Sequence, residues 1–419
     1  MTILTRRGML AAAASASLGK ALAANDRPGI GLIGCGGRGL LVTKRQCLRF
    51  GRLVAVCDVD AKRLAEGAAL APDVAAHKDF RRILERKDVD VIVNATPDHW
   101  HTLINIAAMR AGKDVYAEKP LTLTVDEGRR LTRTAEQTGR ILQTGSQQRN
   151  DPRFRLAVDL VRGRKIGDLK RVVVGLPKAG YGGPFPAQSV PPELDWDFYQ
   201  GPAPKRDYTP ERTHFKYRHW YDYCSGPLTD WGCHHNDIVL WALGMDRSGP
   251  VSVQAISHLD PVPGGYDVQS QFTVQYRYAS GITHACVTMY TPQFGTNPLV
   301  VPSAMVNGVQ FQGSEGTITV QRGKIESTIP DLLTAIPPVD SEQAHVANFF
   351  DCVRTRQQPM CPPEVGHRVA SLGHIGAICL RLGGRPLRWD PDKEQFIGDA
   401  EANRHLAREQ RKPYSYDQI

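Results

Sequence analysis

With 419 residues and 41% hydrophobic composition the chain can bury a sizeable core, and its length fits two domains. Its formal charge of +9 is spread in mixed company, without a Lys/Arg run or aromatic–basic interleaving, which argues against a nucleic-acid surface. The nine cysteines are odd in number, scattered and without C-x-x-C spacing, so neither a disulfide framework nor a zinc ribbon is expected.

In chain order, Thr5-Arg6-Arg7-Gly8-Met9-Leu10 comes first, followed by an Ala-rich apolar run, Lys20 and the small-residue sequence Ala21-Leu22-Ala23. That order of basic, apolar and cleavage regions resembles a twin-arginine export signal over residues 1–24, and it predicts a periplasmic or secreted protein. Removing it takes the formal charge from +9 to +6. The segment is too short to span a bilayer and no other run approaches it in length, so no membrane association is expected of the mature protein.

Residues 29–33 form a short apolar run that passes directly into Gly34-Cys35-Gly36-Gly37-Arg38-Gly39, a G-x-G-x-x-G, and then into a helix-compatible run. A second apolar run, residues 53–57, ends in Asp58. The pattern reads as strand, tight turn, helix, strand. Gly34 permits the turn, Gly36 lets backbone approach a pyrophosphate, and Gly39 lets the helix pack closely on the strand, with Gly37 and Arg38 as further candidate cofactor contacts in the loop. The phosphates would lie on the helix N-terminus. Asp58 can accept the adenosine ribose hydroxyls and would repel a 2′-phosphate, so NAD is expected over NADP. Arg38 dissents, because it could pair with a phosphate.

After Asp58, helix-like segments at 61–70, 80–85, 101–111 and 125–138 alternate with strand-like segments at 89–94, 114–117 and 141–144. This alternation predicts an α/β fold with a doubly wound parallel sheet, binding its ligand at the strand C-terminal ends. Those ends carry Asp58, Thr96-Pro97, Glu118-Lys119-Pro120 and Gln147. The domain boundary is expected near residue 150, giving a nucleotide-binding domain over 25–150 and a substrate domain over 151–419. In the second part a helix at 154–161 and a strand at 169–176 precede an aperiodic Pro/Gly/Tyr-rich passage at 177–216. Strand-like runs follow at 251–257, 270–276, 283–290, 305–310 and 317–320, predicting a mainly antiparallel open sheet. Helices at 343–354 and 364–382 and a polar tail close the chain.

Two groups of residues can do chemistry. Lys119 follows a strand, where Pro120 fixes the turn and the side chain can project into the crevice. The other group is Asp230-Trp231-Gly232-Cys233-His234-His235-Asn236-Asp237: on a helix, Asp230 and His234 share a face, so the carboxylate can orient the imidazole, with Asp237 on the same side. Such a base with its orienter suits proton abstraction from an alcohol, and a histidine of ordinary pKa near 6.5 would make the rate rise with pH through the near-neutral range. A metal is the rival reading, but adjacent histidines point apart on a helix and no second ligand cluster is evident.

The G-x-G-x-x-G, Thr96-Pro97 with His99 and His101 beyond, Glu118-Lys119-Pro120 and Asp230-x-x-x-His234 together resemble the Gfo/Idh/MocA family of oxidoreductases. The pieces Thr96 to His101, Gly145 to Arg149 and Thr229 to Gly232 look like its secreted branch. The resemblance implies NAD-linked oxidation or reduction of a sugar, glycoside or cyclitol; the twin-arginine-like signal beside a dinucleotide fold adds the expectation of tightly held NAD, since that route exports folded protein. Lys119 would position the reacting hydroxyl, His234 would act as its acid or base, and Asp230 would orient the substrate or the histidine. It also implies cofactor contacts at Thr96, Pro97, His101, Glu118, Lys119 and Gln147, and a homo-oligomer built on the open sheet. Arg149, Trp196, Trp220, Tyr221 and Asp237 are candidate substrate contacts, the aromatics because they can stack on a sugar face. An alternative activity is that of the NAD-dependent glycosidases of this fold, which oxidise transiently, eliminate and reduce again. Those enzymes tend to lose Glu-Lys-Pro, which this chain keeps.

Overall fold

The computed structural model describes residues 27–288 and 307–417. The signal-like segment and parts of the strands expected at 283–290 and 305–310 lie outside the described residues. The first half is a six-stranded parallel sheet in the order β3-β2-β1-β4-β5-β6. Its strands are β1 (Gly29–Ile33), β2 (Arg52–Cys57), β3 (Ala75–His77), β4 (Val91–Asn94), β5 (Asp114–Ala117) and β6 (Leu142–Thr144). β1, β4, β5 and β6 are buried at every position, as a parallel sheet covered on both faces requires of its apolar runs. The connecting helices are α1 (Gly37–Arg45), α2 (Ala61–Ala68), α3 (Arg81–Leu84), α4 (Asp98–Arg110) and α5 (Val125–Thr138).

Local chemistry sets these boundaries. The Asp60 carboxylate caps α2 by accepting from the amides of Lys62 and Arg63. Thr124 and Glu127 form a capping box at the start of α5, and Gly139, at φ 62°, ends it in the left-handed conformation. Helix α4 begins three residues earlier than the periodicity predicts, because Pro97 serves as its N-cap and Asp98 occupies its first turn.

The second half begins with α6 (Pro152–Arg162) and builds a nine-stranded sheet in the order β13-β12-β11-β7-β10-β9-β8-β14-β15. These are β7 (Leu169–Leu176), β8 (Ser252–His258), β9 (Phe272–Arg277), β10 (Thr283–Thr288), β11 (Gly308–Gly313), β12 (Thr317–Gln321), β13 (Lys324–Ser327), β14 (Leu387–Asp390) and β15 (Gln395–Phe396). The pairing is antiparallel except where β10 runs parallel to β7. Helices α8 (Trp231–Ala242) and α10 (Pro363–Arg381) pack on one face, in a core that joins Leu228, Ile238, Val274, Phe311 and Ile378. Short α7 (Trp196–Gln200) lies in the Pro/Gly/Tyr-rich passage, and α9 (Ser341–Thr355) packs Val346 and Phe349 into the core beneath the first sheet.

The C-terminal stretch, expected to be a polar tail, is integrated into the fold. It supplies β14, β15 and α11 (Ala400–Arg404), and then Tyr414 and Tyr416 pack on the core of the first half. The Tyr416 hydroxyl donates to the buried Glu127 carboxylate. No described helix is long and apolar enough to cross a membrane.

Candidate active site

A cleft of about 650 Å³ opens where the strand order of the first sheet reverses, between β1 and β4, and it extends to the N-terminus of α8. Gly34 sits at φ 90°, and a Cβ there would come within 2.8 Å of the backbone of Ala95 and Thr96. A Cβ on Gly39 would meet the Gly34 carbonyl oxygen at 2.1 Å, so this glycine sets the close approach of α1 to β1. Gly36 is the N-cap of α1 without a side-chain cap, and no acid stands in the first turn. A Cβ on Gly37 would meet nothing within 4 Å. The helix therefore presents its free amides and positive dipole end to the cleft, a place for a pyrophosphate.

At the end of β2 the Asp58 carboxylate accepts from the amides of Cys35 (2.8 Å) and Asp60 (2.9 Å), which fixes it facing the cleft. Burial raises its pKa, opposed by those two amides. Asn94, at the end of β4, accepts from the Thr96 hydroxyl (2.7 Å) and so holds the Thr96-Pro97 turn that lines the cleft. Gln147 lines it too: its amide donates to Glu342 (3.3 Å), while its Oε1 is buried without a partner. NAD fits these residues. There is an uncapped helix end for its phosphates, a carboxylate for its ribose, and an orphaned acceptor at Gln147 for an N–H of the ligand.

At the far end Lys119 Nζ lies 2.5 Å from Asp230 Oδ1 and 3.2 Å from the Asp230 carbonyl oxygen. Arg218 Nε approaches the same carboxylate oxygen at 3.5 Å. Burial works against a charge on Asp230, yet Lys119 and Arg218 hold its carboxyl below the usual carboxylate range. His234 also lines the cleft. Burial, followed by the nearby cations Lys119 and Arg322, pushes its imidazole well below its ordinary pKa, so the ring is neutral at neutral pH. It is a base ready to accept a proton.

Several expectations need correction. Asp230 does not orient His234: α8 starts at Trp231, Asp230 is its N-cap at φ −73° and ψ −84°, and its carboxylate is taken by Lys119 and Arg218. His234 Nδ1 is buried without a partner. The imidazole also departs from the ordinary histidine pKa on which the expected rise of rate through the near-neutral range is based. Asp237 is wholly buried and takes Arg149, whose other partner is Asp246; this ion triad braces the second half away from the cleft. His101 joins two strand-end loops through the carbonyls of Pro120 (2.6 Å) and Thr96 (2.8 Å) and does not line the cleft.

The aromatic candidates are packing residues. Trp196 and Trp220 are buried, with their indole N–H groups donating to the carbonyls of Arg206 and Glu211. Tyr221 lies under the guanidinium groups of Arg381 and Arg408. Arg38 lines the cleft and pairs with Glu118 (2.8 Å) and Glu342 (2.9 Å), while its Nη2 is buried without a partner.

Sequence reasoning missed Arg63, whose guanidinium covers Gly36 closely enough to sit 2.6 Å from a Cβ placed there. It also missed Tyr217 and Arg218, just past the aperiodic passage, and Glu342, more than 300 residues from Arg38. Arg63 had one readable signal, as a cation in the first turn after the capping Asp60; the others carried none. Among the described residues no group of His, Cys, Asp and Glu could hold a metal ion.

Comparison with known proteins agrees with this geometry. A family model described as an NAD-binding Rossmann fold of the oxidoreductase family matches residues 29–146, and one for that family's C-terminal alpha/beta domain matches residues 181–416. A 1,5-anhydro-D-fructose reductase of Ensifer adhaerens is 26% identical over 75% of this chain and 85% of its own length. A glycosyl hydrolase family 109 protein of Saccharopolyspora erythraea is 37% identical, but the match covers only 29% of each chain. Among solved structures, an aldose-aldose oxidoreductase of Caulobacter crescentus superposes with a TM-score of 0.63 at 20% identity, over 86% of this chain and 99% of that one. A levoglucosan dehydrogenase bound to NADH and L-sorbose gives a TM-score of 0.65 at 17% identity, over 88% of this chain and all of that one. At such identities the structural likeness speaks for the fold alone. The two family models, matching both halves of the chain, carry the assignment: this protein belongs to the Gfo/Idh/MocA oxidoreductase family.

Proposed function

We propose that the protein is an NAD-dependent oxidoreductase acting on a hydroxyl-bearing carbon of a sugar, glycoside or cyclitol. The observation that carries this reading is one continuous cleft that runs from an uncapped glycine-loop helix and Asp58 to a lysine and a neutral histidine. When bound, NAD supplies the hydride-accepting carbon. The chain supplies the rest. Lys119 places a fixed cation beside the substrate oxygen and stabilises the negative charge that develops on it. His234, uncharged, accepts the hydroxyl proton. Asp230 acts on Lys119, aiming the ammonium and keeping it in place, with Arg218 sharing the carboxylate. Asp58 holds the ribose and favours NAD over NADP, while the free amides of α1 hold the phosphates.

The cofactor is tightly bound in this reading, and the twin-arginine-like N-terminal sequence supports its export in the folded protein to the periplasm or beyond. The open sheet of the second half would serve as a face for self-association. A second reading, transient oxidation followed by elimination and re-reduction, is supported by the glycosyl hydrolase family 109 relatives. The retained Glu118-Lys119-Pro120 favours net redox.

The test has two parts: mass spectrometry of nucleotide released on denaturation, then a panel of sugars, glycosides and cyclitols followed at the nicotinamide absorbance with product analysis. NAD(H) release and a keto-sugar product support the dehydrogenase. A freed aglycone with no net change in nicotinamide would support the glycosidase, and absence of nucleotide together with no NAD binding would refute both.

A further inference from the structure

The Pro/Gly/Tyr-rich passage between β7 and α8 docks on the nucleotide-binding half. The Ala61 amide donates to the Glu193 carbonyl (2.9 Å), and the Asp195 amide donates to that of Val59 (3.0 Å). From there a 3-10 turn, His214–His219, crosses the cleft and is tied at two carboxylates, Asp98 and Asp230. His214 Nε2 lies 3.6 Å from Asp60 Oδ2, two residues beyond the ribose-facing Asp58. The Tyr217 hydroxyl donates to Asp98 Oδ1 (2.7 Å) at the first turn of α4, beside Pro97. Arg218 reaches Asp230 at the reacting end. The turn therefore spans the cleft from its ribose end to its chemical end.

Within this turn Phe215 turns its ring outward, with the Arg218 guanidinium 4.8 Å from the ring centroid. It is 70% exposed, although it lines the cleft, while the neighbouring Tyr217 is buried. The residue before it, His214, adopts φ 53°, a left-handed conformation that costs a non-glycine residue energy and that persists where the surroundings impose it. Arg218 holds the backbone of Phe215 in turn, donating to its carbonyl at 3.3 Å. An apolar ring displayed by a strained, pinned backbone at the ribose end of a nucleotide cleft is placed to be covered by a base.

We propose that the His214–His219 turn is the roof of the dinucleotide site and that Phe215 is the face on which the adenine ring lies. The assignment rests on the reading of the cleft as an NAD site. It gives the aperiodic passage a role in retaining the cofactor, separate from the chemistry at Lys119 and His234.

The experiment compares wild type with Phe215→Ala, Phe215→Tyr and Tyr181→Ala, the last removing an exposed aromatic of the same passage that does not line the cleft. Release of bound NADH is followed by fluorescence during a chase with excess NAD, and calorimetry measures binding of ADP-ribose and of nicotinamide mononucleotide. Phe215→Ala is expected to speed release and weaken ADP-ribose by about tenfold, within the range for one base stacked on one aromatic side chain. Phe215→Tyr and Tyr181→Ala should match wild type, and nicotinamide mononucleotide should be unaffected throughout. Unchanged release and ADP-ribose affinity in Phe215→Ala would overturn the proposal, as would equal weakening of both half-ligands. Wild-type protein that binds no dinucleotide would instead overturn the cofactor reading on which it rests.

Discussion

Replacing Lys119 by methionine keeps the length and apolar stem of the side chain and deletes its charge. In the wild type that charge lies 2.5 Å from Asp230, with the two side chains 13% and 18% exposed. Stripping a buried carboxylate of its partner costs about 3–5 kcal/mol when nothing replaces it. Here Arg218 remains at 3.5 Å and the cleft admits water, so a folding cost of about 1–2 kcal/mol is expected. Loss of a fixed positive group at a developing oxyanion should lower the chemical step about 10²- to 10³-fold, or about 2.7–4 kcal/mol. The signature is a rate loss larger than the stability loss. Single-turnover reduction of the nicotinamide in cofactor-loaded protein measures the first, and urea unfolding measures the second. A single-turnover rate within about fivefold of wild type, smaller than the loss of any positioned charge, would refute the assignment of Lys119 to the reacting oxygen.

Three further predictions follow from other parts of the structure. Because burial and nearby cations depress His234, its neutral, proton-accepting form prevails above that lowered pKa; the oxidation rate should be flat through the near-neutral range and fall only in acid, as a pH series of single turnovers would show. Asp58→Ala should weaken NAD and relax the bias against NADP by about 1–3 kcal/mol, measured by calorimetry with both dinucleotides. Arg149→Met leaves the wholly buried Asp237 unpaired and should cost about 3–5 kcal/mol in denaturant unfolding, whereas Arg149→Met with Asp237→Leu should recover most of that loss.

What could be read from the sequence was local. The glycine loop, the strand ending in Asp58 and the Glu118-Lys119-Pro120 turn each declare themselves within a few residues, because turn sterics and a doubly covered parallel strand leave a short-range pattern. The partners of the charges do not. Asp230 and His234 fit a shared helix face by spacing, yet Lys119, 111 residues away, takes the carboxylate and leaves the imidazole without it. Arg149 and Asp237 read as cleft residues because each adjoins a motif, but they meet across 88 residues to form a buried pair. The turn at His214–His219 has no periodicity to reveal it, since carboxylates from two distant segments, Asp98 and Asp230, hold it in place. The apparent polar tail hides Tyr414 and Tyr416, whose burial depends on a surface made hundreds of residues earlier.

The most direct test of the central claim is isotope transfer. Protein carrying oxidised NAD is mixed with a turned-over sugar deuterated at its reacting carbon, and the nucleotide released by acid is analysed by mass spectrometry. The account predicts one deuterium on the nicotinamide ring in wild type and loss of that transfer in His234→Ala protein that still holds its cofactor. Product formed from the sugar with no deuterium on the nicotinamide would contradict it.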